Sequence, residues 1–398
     1  MKSGKLFFNN AFIENPYPFY KELRNQNKPS WIEPDQEVKS EGVWLFSKYN
    51  DVHEVLKQTK NISKDINQAR AEENKSVFDL NLLNMDGLKH AENRKIFMQY
   101  FSASKIDLIL PLLTKKIDEL LTEMLKKNEF NFVSEFAEPL PIYIIGLIIG
   151  LPFEDLDEIR KSFTESLNIF DSFLDKNKYT FDKRIDFINS FKVYFKNTIA
   201  QKKLSEGSLL ADLLSPPIKH TLSEDELIGM IFFLFIAGHE TTISLISSLF
   251  YLLNKNPVQY KDLNKNRDLI MATIEESLRY ESPLQRSTFR VTTASINING
   301  FAVPKNQQII ALIGSANRDE SIFVDPDLFD IRRESNPHLA FGYGVHNCFG
   351  RQLAITEARL AILALLDSIP NLDLYELTPY WKKNSLFRSL DALICRAT

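Results

Sequence analysis

The stretch Phe341-Gly342-Tyr343-Gly344-Val345-His346-Asn347-Cys348-Phe349-Gly350 is a glycine-rich loop that delivers one cysteine to the start of a helix. Glycine has no Cβ, so it takes positive φ and lets the backbone pass close to something flat and bulky. After the loop, Arg351 to Leu366 is rich in Ala, Leu, Ile, Glu and Arg and reads as a helix that stops before Pro370. A thiol at a helix N-terminus lies in a positive field that favours the thiolate, the form that binds metal. Taken alone, a cysteine among glycines and aromatics is as often only a small buried hydrophobe.

Composition narrows what the loop can serve. The chain has 398 residues, 44% hydrophobic and 25% charged, which is ordinary for a folded globular protein with a large core. A formal net charge of -4 argues against nucleic acid as a partner. Two cysteines, Cys348 and Cys395, give no disulfide framework and suit a reducing cytoplasm. Met1 to Phe12 holds Lys2 and Lys5 without a signal-type apolar run, so the expectation is a cytoplasmic protein with no membrane anchor. Leu140 to Leu151 is too short for the roughly 20 residues a bilayer needs and reads as a buried core helix. Leu227 to Leu253 is long enough, but His239, Glu240, Thr241 and Thr242 at its midpoint would be costly in lipid. Glycines form neither a P-loop nor a G-x-G-x-x-G turn.

That second apolar segment is the other organising element. Ser223-Glu224-Asp225-Glu226 is a capping box, and the helix it opens runs to about Asn254 before Asn256-Pro257. About 30 residues make it roughly 45 Å long, enough to cross a whole domain. Phe233, Ala237 and Thr241 are four apart and Gly238 is three before Thr241, so all four are expected on one face, with the two small residues leaving room for a ligand. A threonine hydroxyl that bonds back to a helix carbonyl can distort the ladder and admit water, which Glu240 could feed with protons. Ordinary buried hydroxyls and an ion-paired acid are the plainer reading. The rest of the chain reads as mainly helical: Phe19 to Arg24, Asp51 to Gln58, Leu108 to Lys127 and Phe153 to Ala200. Short strands are expected at Val43–Phe46, Arg290 to Thr293, Ser295–Ile298 and Gln308 to Ile313. Gly207 to Pro217 breaks the helical pattern, and the polar connection from Asn61 to Asn84 is a candidate gating loop.

The spacing F-G-x-G-x-H-x-C-x-G, with every fixed position filled, resembles the haem-binding loop of the cytochrome P-450 family. Zinc is the rival metal, since His346 and Cys348 could both ligate it, but structural zinc takes four ligands and usually several cysteines. A haem iron needs one axial thiolate. Ala237 to Thr242 resembles the family's A-G-x-D/E-T-T oxygen-activation motif, and His90 with Arg94 resembles its H-x-x-x-R helix. Glu276-Ser277-Leu278-Arg279 resembles the E-x-x-R motif, whose third member here is Arg333, with Arg332 the alternative.

The resemblance spans His90 through Phe387 and implies one domain over residues 1–398: a mainly α fold with a minor β-rich subdomain and a long central helix over haem b. It implies Cys348 as the iron ligand, Phe341, Gly342, Ala237, Gly238, Thr241 and Gly350 as haem contacts, and His90, Arg94, Arg290 and His346 as propionate partners. Glu240 and Thr241 are the implied catalytic residues. Phe233, Ala237, Pro283, Leu284, Leu386 and Phe387 are the implied substrate contacts, and Phe153 to Ala200 a movable lid. The implied activity is insertion of one oxygen atom of O2 into a C–H bond of a small hydrophobic substrate, such as a polyketide or other secondary metabolite. Electrons would come from a ferredoxin or flavodoxin with its NAD(P)H-dependent reductase. A peroxide-driven peroxygenase and a non-catalytic haem or ligand carrier are the alternatives.

Overall fold

The structure, a computed structural model, describes residues 10–33, 42–65, 77–159, 178–200, 204, 207–215, 222–369 and 375–397. Among the described residues helices dominate, and ten short strands form three sheets. In chain order the strands are β1 Ser30–Ile32, β2 Val43–Phe46, β3 Ile62–Ser63, β4 Glu129–Asn131, β5 Arg290–Thr292, β6 Ile296–Ile298, β7 Phe301–Val303, β8 Gln308–Ala311, β9 Tyr375–Trp381 and β10 Leu390–Ala397. The five-stranded sheet has the order β1-β2-β8-β5-β3, with β2 and β8 parallel. β4, β10 and β9 form a second sheet, and β6 and β7 a hairpin.

The central helix, Glu224–Lys255, starts at the expected capping box: Ser223 Oγ accepts from the Glu226 N–H at 3.2 Å, and Glu226 Oε2 accepts from the Ser223 N–H at 2.9 Å. It is long and apolar enough to cross a membrane, but 72% of its apolar window is buried inside the protein. Pro139–Ile149 packs beside it, beginning on a proline and ending at Gly150, whose φ of 93° only glycine adopts easily. The main apolar cluster surrounds these helices, and a smaller one, including Phe46, Val55 and Ile309, lies against the five-stranded sheet.

Several boundaries differ from the sequence reading. Leu108 to Lys127 belongs to a helix, Ala103–Met124, that starts earlier and ends sooner. Gly207 to Pro217 is not a plain break: Ser208 caps a short helix, Leu209–Leu213, by accepting the Ala211 N–H. Gln308 to Ile313 is cut at Ala311, because Ile313–Ala316 turns into a helix. Within the connection from Asn61 to Asn84, β3 and two single turns are ordered, while 66–76 lies outside the described residues. Of the expected lid, Phe163, Phe170 and Phe173 also lie outside them, as do the side chains of Phe181 and Phe187. Phe191 is core, 5.2 Å from the Phe232 ring.

A buried ion network fixes the segment that leads to the cysteine loop. Arg279 donates from Nε and Nη2 to the two carboxylate oxygens of Glu276 at 2.8 Å each, and both residues are fully buried. Arg333 adds a third bond to Glu276 at 3.1 Å, whereas Arg332 reaches Asp262 at the surface. Asp330 N–H and Asn336 Nδ2 also donate to Glu276, so the carboxylate is fully ligated. Removing one member of such a network typically costs about 3–5 kcal/mol, because the others stay buried and charged.

Glu357, on the helix Arg351–Ser368, is buried without that help. Its Oε2 has no hydrogen-bond partner, and burial pushes its pKa well above the usual 4.5. Above that ordinary value the folded chain keeps a proton that the unfolded chain has released, so stability declines as pH rises until the folded-state value is passed. Glu357→Gln is therefore expected to flatten this decline and to stabilise the protein at neutral pH by at least about 1 kcal/mol, read from urea unfolding at about pH 5 and about pH 8.

Candidate functional site

The cysteine loop is built by backbone geometry. The Cys348 N–H donates to the Phe341 carbonyl at 2.8 Å, closing the loop. Gly342 and Gly344 have φ of 70° and 77°, and Gly344 lies so close to the Leu56 carbonyl that a Cβ would come within 2.9 Å. Gly350 caps the helix Arg351–Ser368, and a Cβ there would sit 3.8 Å from Cys348 Sγ. Cys348 keeps an accessible side chain. Protein nonetheless crowds the sulfur, and burial pushes its pKa up, against the downward pull of the Gly350 N–H, Arg94, Arg351 and the Arg351 N–H. The field of the helix N-terminus and the nearby cations work against that burial, and a bound cation would complete the deprotonation.

Glu275, the neighbour of network residue Glu276, clamps both ends of the loop. It bonds His338 Nε2 at 2.6 Å on one side and Arg351 Nη2 at 2.7 Å on the other. Burial opposes the charge of this carboxylate, but those two partners hold its pKa below the usual range. Nothing in the sequence singled it out beyond its place inside the E-x-x-R helix.

A cluster of basic groups gathers beside the loop. His90 and His346 have ring centroids 4.2 Å apart, and His346 Nε2 lies 3.2 Å from Asp86 Oδ1. Burial lowers the pKa of both imidazoles, that of His346 to about 4, so both are neutral near pH 7. Asp86 is held well below the ordinary carboxylate range: burial works against its charge, but bonds from His346, Ser63 and the Lys64 N–H prevail. Arg94 turns to the loop, donating to the Asn347 carbonyl and Oδ1 at 2.8 and 2.7 Å, with its guanidinium 5.4 Å from the Phe349 ring. Arg290, at the start of β5, is 3% exposed, and its Nε has no acceptor. A buried guanidinium in that state fits a carboxylate brought by a cofactor.

The central helix carries a half-buried stripe. Within a stretch that is otherwise mostly buried, Phe233, Ile236, Ala237, Gly238 and Thr241 are only half-buried and recur at helical spacing. Thr241 Oγ1 donates to the Ala237 carbonyl at 2.8 Å, the expected back-bond, within the helix Glu224–Lys255. Gly238 also allows close packing: a Cβ there would meet the Ile145 side chain of Pro139–Ile149 at 2.8 Å. His239 is a satisfied core residue, its Nδ1 2.5 Å from the Phe235 carbonyl. Glu240 is 1% exposed and ion-paired: Lys382 Nζ donates to its Oε1 at 2.8 Å, while Oε2 has no partner.

The apolar wall comes from two distant loops. Leu284 and Phe387 form an antiparallel bridge, strengthened by Gln285 N–H to the Leu386 carbonyl at 2.9 Å and Arg388 N–H to the Pro283 carbonyl at 2.8 Å. Leu386 and Phe387 pack with Ile236 and Leu284. The expected substrate contacts Pro283, Leu284, Leu386 and Phe387 are therefore joined to the central helix through Ile236, which sequence reasoning did not single out.

Comparison with known proteins agrees with this arrangement. The family model described as cytochrome P-450 matches residues 14–369. The biotin biosynthesis cytochrome P-450 of Bacillus subtilis (strain 168) is 33% identical over 388 residues, covering 96% of each chain. The cytochrome P-450 monooxygenase PikC of Streptomyces venezuelae is 31% identical and covers 97% of this chain and 92% of its own. Among solved structures, a myxobacterial cytochrome P-450 in complex with myristic acid superposes with a TM-score of 0.89 at 28% identity, covering 99% of both chains.

The packing role of Gly238 is directly testable. Gly238→Ala is expected to destabilise the protein by about 1–3 kcal/mol through overpacking. Ile145→Ala, made in the same chain, is expected to recover part of that loss, as read from denaturant unfolding of the two single variants and the double variant.

Proposed function

The chain belongs to the cytochrome P-450 family, and on that premise we propose that Cys348 ligates the iron of haem b in a monooxygenase that hydroxylates an apolar substrate of acyl-chain or polyketide type. The carrying observation is the combination of an accessible thiol on a clamped loop with a buried guanidinium whose Nε lacks an acceptor. Together these suit a cofactor that brings both a metal and carboxylates. When bound, haem supplies the chemistry that activates dioxygen and transfers one oxygen atom to a C–H bond.

The residues divide that work. Arg290, His90, His346 and Arg94 hold the propionates, and Phe341, Gly342 and Gly350 give the ring a close, smooth neighbour. Ala237, the small member of the half-buried stripe, leaves room for dioxygen. Thr241, one turn on, donates its hydroxyl proton to the Ala237 carbonyl, so its oxygen is left to accept a bond from water. Glu240 uses Oε2 to receive and pass protons while Lys382 holds Oε1. Phe233, Ile236, Leu284, Leu386 and Phe387 exclude water and orient the substrate by shape, which suits a molecule without charge at its reacting end.

The substrate class is supported by two relatives. One bears a name in biotin biosynthesis, and the other was solved with myristic acid. Electrons come from a separate redox partner. A ferredoxin or flavodoxin, served by an NAD(P)H-dependent reductase, would dock over the Cys348 loop, where Lys95 and Arg351 are exposed. A cytoplasmic setting is part of the same reading, supported by two cysteines that are both free.

Thr241→Ala tests the proton role. Product formed per electron consumed is expected to fall on the order of tenfold or more, with the lost electrons recovered as hydrogen peroxide. Unchanged oxygen-dependent turnover without added peroxide release would contradict the assignment. Equal turnover of both proteins with hydrogen peroxide as the only oxidant would favour a peroxygenase.

A further inference from the structure

Lys64 is a buried cation that none of the motif residues accounts for. β3 pairs with β5 through Ile62 and Ser63, and the next residue leaves the sheet with its side chain turned inward, 2% exposed. Its Nζ lies 2.5 Å from Thr288 Oγ1, two residues before Arg290. An ammonium has three N–H donors, and a single neutral hydroxyl does not offset the burial of its charge.

Asp86, the acid whose charge acts on Lys64, is already occupied. Asp86 Oδ2 accepts from Ser63 Oγ at 2.6 Å, from the Lys64 backbone N–H at 2.7 Å and from the Asp65 N–H at 3.1 Å, while Oδ1 faces His346. Among the described residues no carboxylate forms an ion pair with the Lys64 ammonium. Burial pushes the ammonium's pKa well below its ordinary value, Arg290 pushes it the same way, and Asp86 opposes both. Arg290 carries the same deficit, with its own pKa lowered to about 10 by burial. Two cations that repel each other in a buried place, one with an unfilled Nε, stay charged together only if an anion joins them.

We propose that Lys64 is a carboxylate-binding residue that holds a haem propionate jointly with Arg290, with Thr288 fixing the direction of its ammonium. This rests on the haem-thiolate reading above. The pair would form charge-assisted hydrogen bonds to one carboxylate from two sides, and the added positive charge would favour the reduced iron over the oxidised.

The test uses purified holoprotein, with the absorbance of the reduced carbonyl complex recorded first for every variant. A wild type without the thiolate signature would refute the haem-thiolate reading itself; with that signature present, the remaining results bear on Lys64 alone. Lys64→Met is expected to release haem to excess apomyoglobin roughly tenfold or more faster and to shift the reduction midpoint to lower potential, as loss of a charge-assisted bond implies. Lys64→Arg is expected to restore most of both. Should the methionine variant fail to accumulate, Lys64→Gln against Lys64→Arg carries the same comparison. Wild-type haem release and potential in the neutral variants would overturn the proposal. So would a loss of affinity for myristate but not for its methyl ester, with haem release unchanged, because the carboxylate held by Lys64 would then be the substrate's.

Discussion

The account depends on one constraint: a cysteine sulfur must stay reachable while everything around it is immobilised. The loop achieves this by tying its first residue to its eighth, Phe341 carbonyl to Cys348 N–H, so the turn needs no side chain to close it. Glu275 then grips His338 before the loop and Arg351 after it, and the adjacent Glu276 anchors the same helix to Arg279 and Arg333. Two neighbouring acids thus connect the stability of the fold to the placement of one sulfur. The high cost of breaking buried ion networks makes this linkage rigid.

Across from the loop, the central helix is buried over most of its length yet leaves Phe233, Ile236, Ala237 and Thr241 half-buried. A helix with this pattern is both a core beam and a wall. Its acid, Glu240, is paired inside that wall with a lysine from the C-terminal segment. The hairpin tip at Leu386 and Phe387 closes the apolar side against Leu284. Substrate room, proton handling and cofactor grip are therefore supplied by segments far apart in the chain, and the helix is where they meet.

Much of this was legible in the sequence because it is local. The capping box at Ser223, the apolar run after it, the glycine pattern around Cys348 and the i, i+3 pair Glu276 and Arg279 are all short-range signals. What could not be read is non-local. Lys382 meets Glu240 across 142 positions, and Asp86 meets His346 across 260. A lone lysine or aspartate carries no periodicity, so nothing in the sequence marks Lys64, Asp86 or Lys382. Spacing along a helix gives the angle of a residue but not which neighbour lies at that angle, and at Gly238 the neighbour is Ile145. Nor does a helix start reveal how strongly the surrounding protein desolvates the Cys348 sulfur.

The most direct measurement is the absorbance spectrum of the reduced carbonyl complex for the haem-loaded protein and its Cys348→Ser variant. The account predicts a thiolate-type spectrum for the wild type. In the serine variant that spectrum should be lost, while haem stays bound through Arg290 and the two histidines. An identical spectrum in both proteins would show that the sulfur of Cys348 is not the iron ligand.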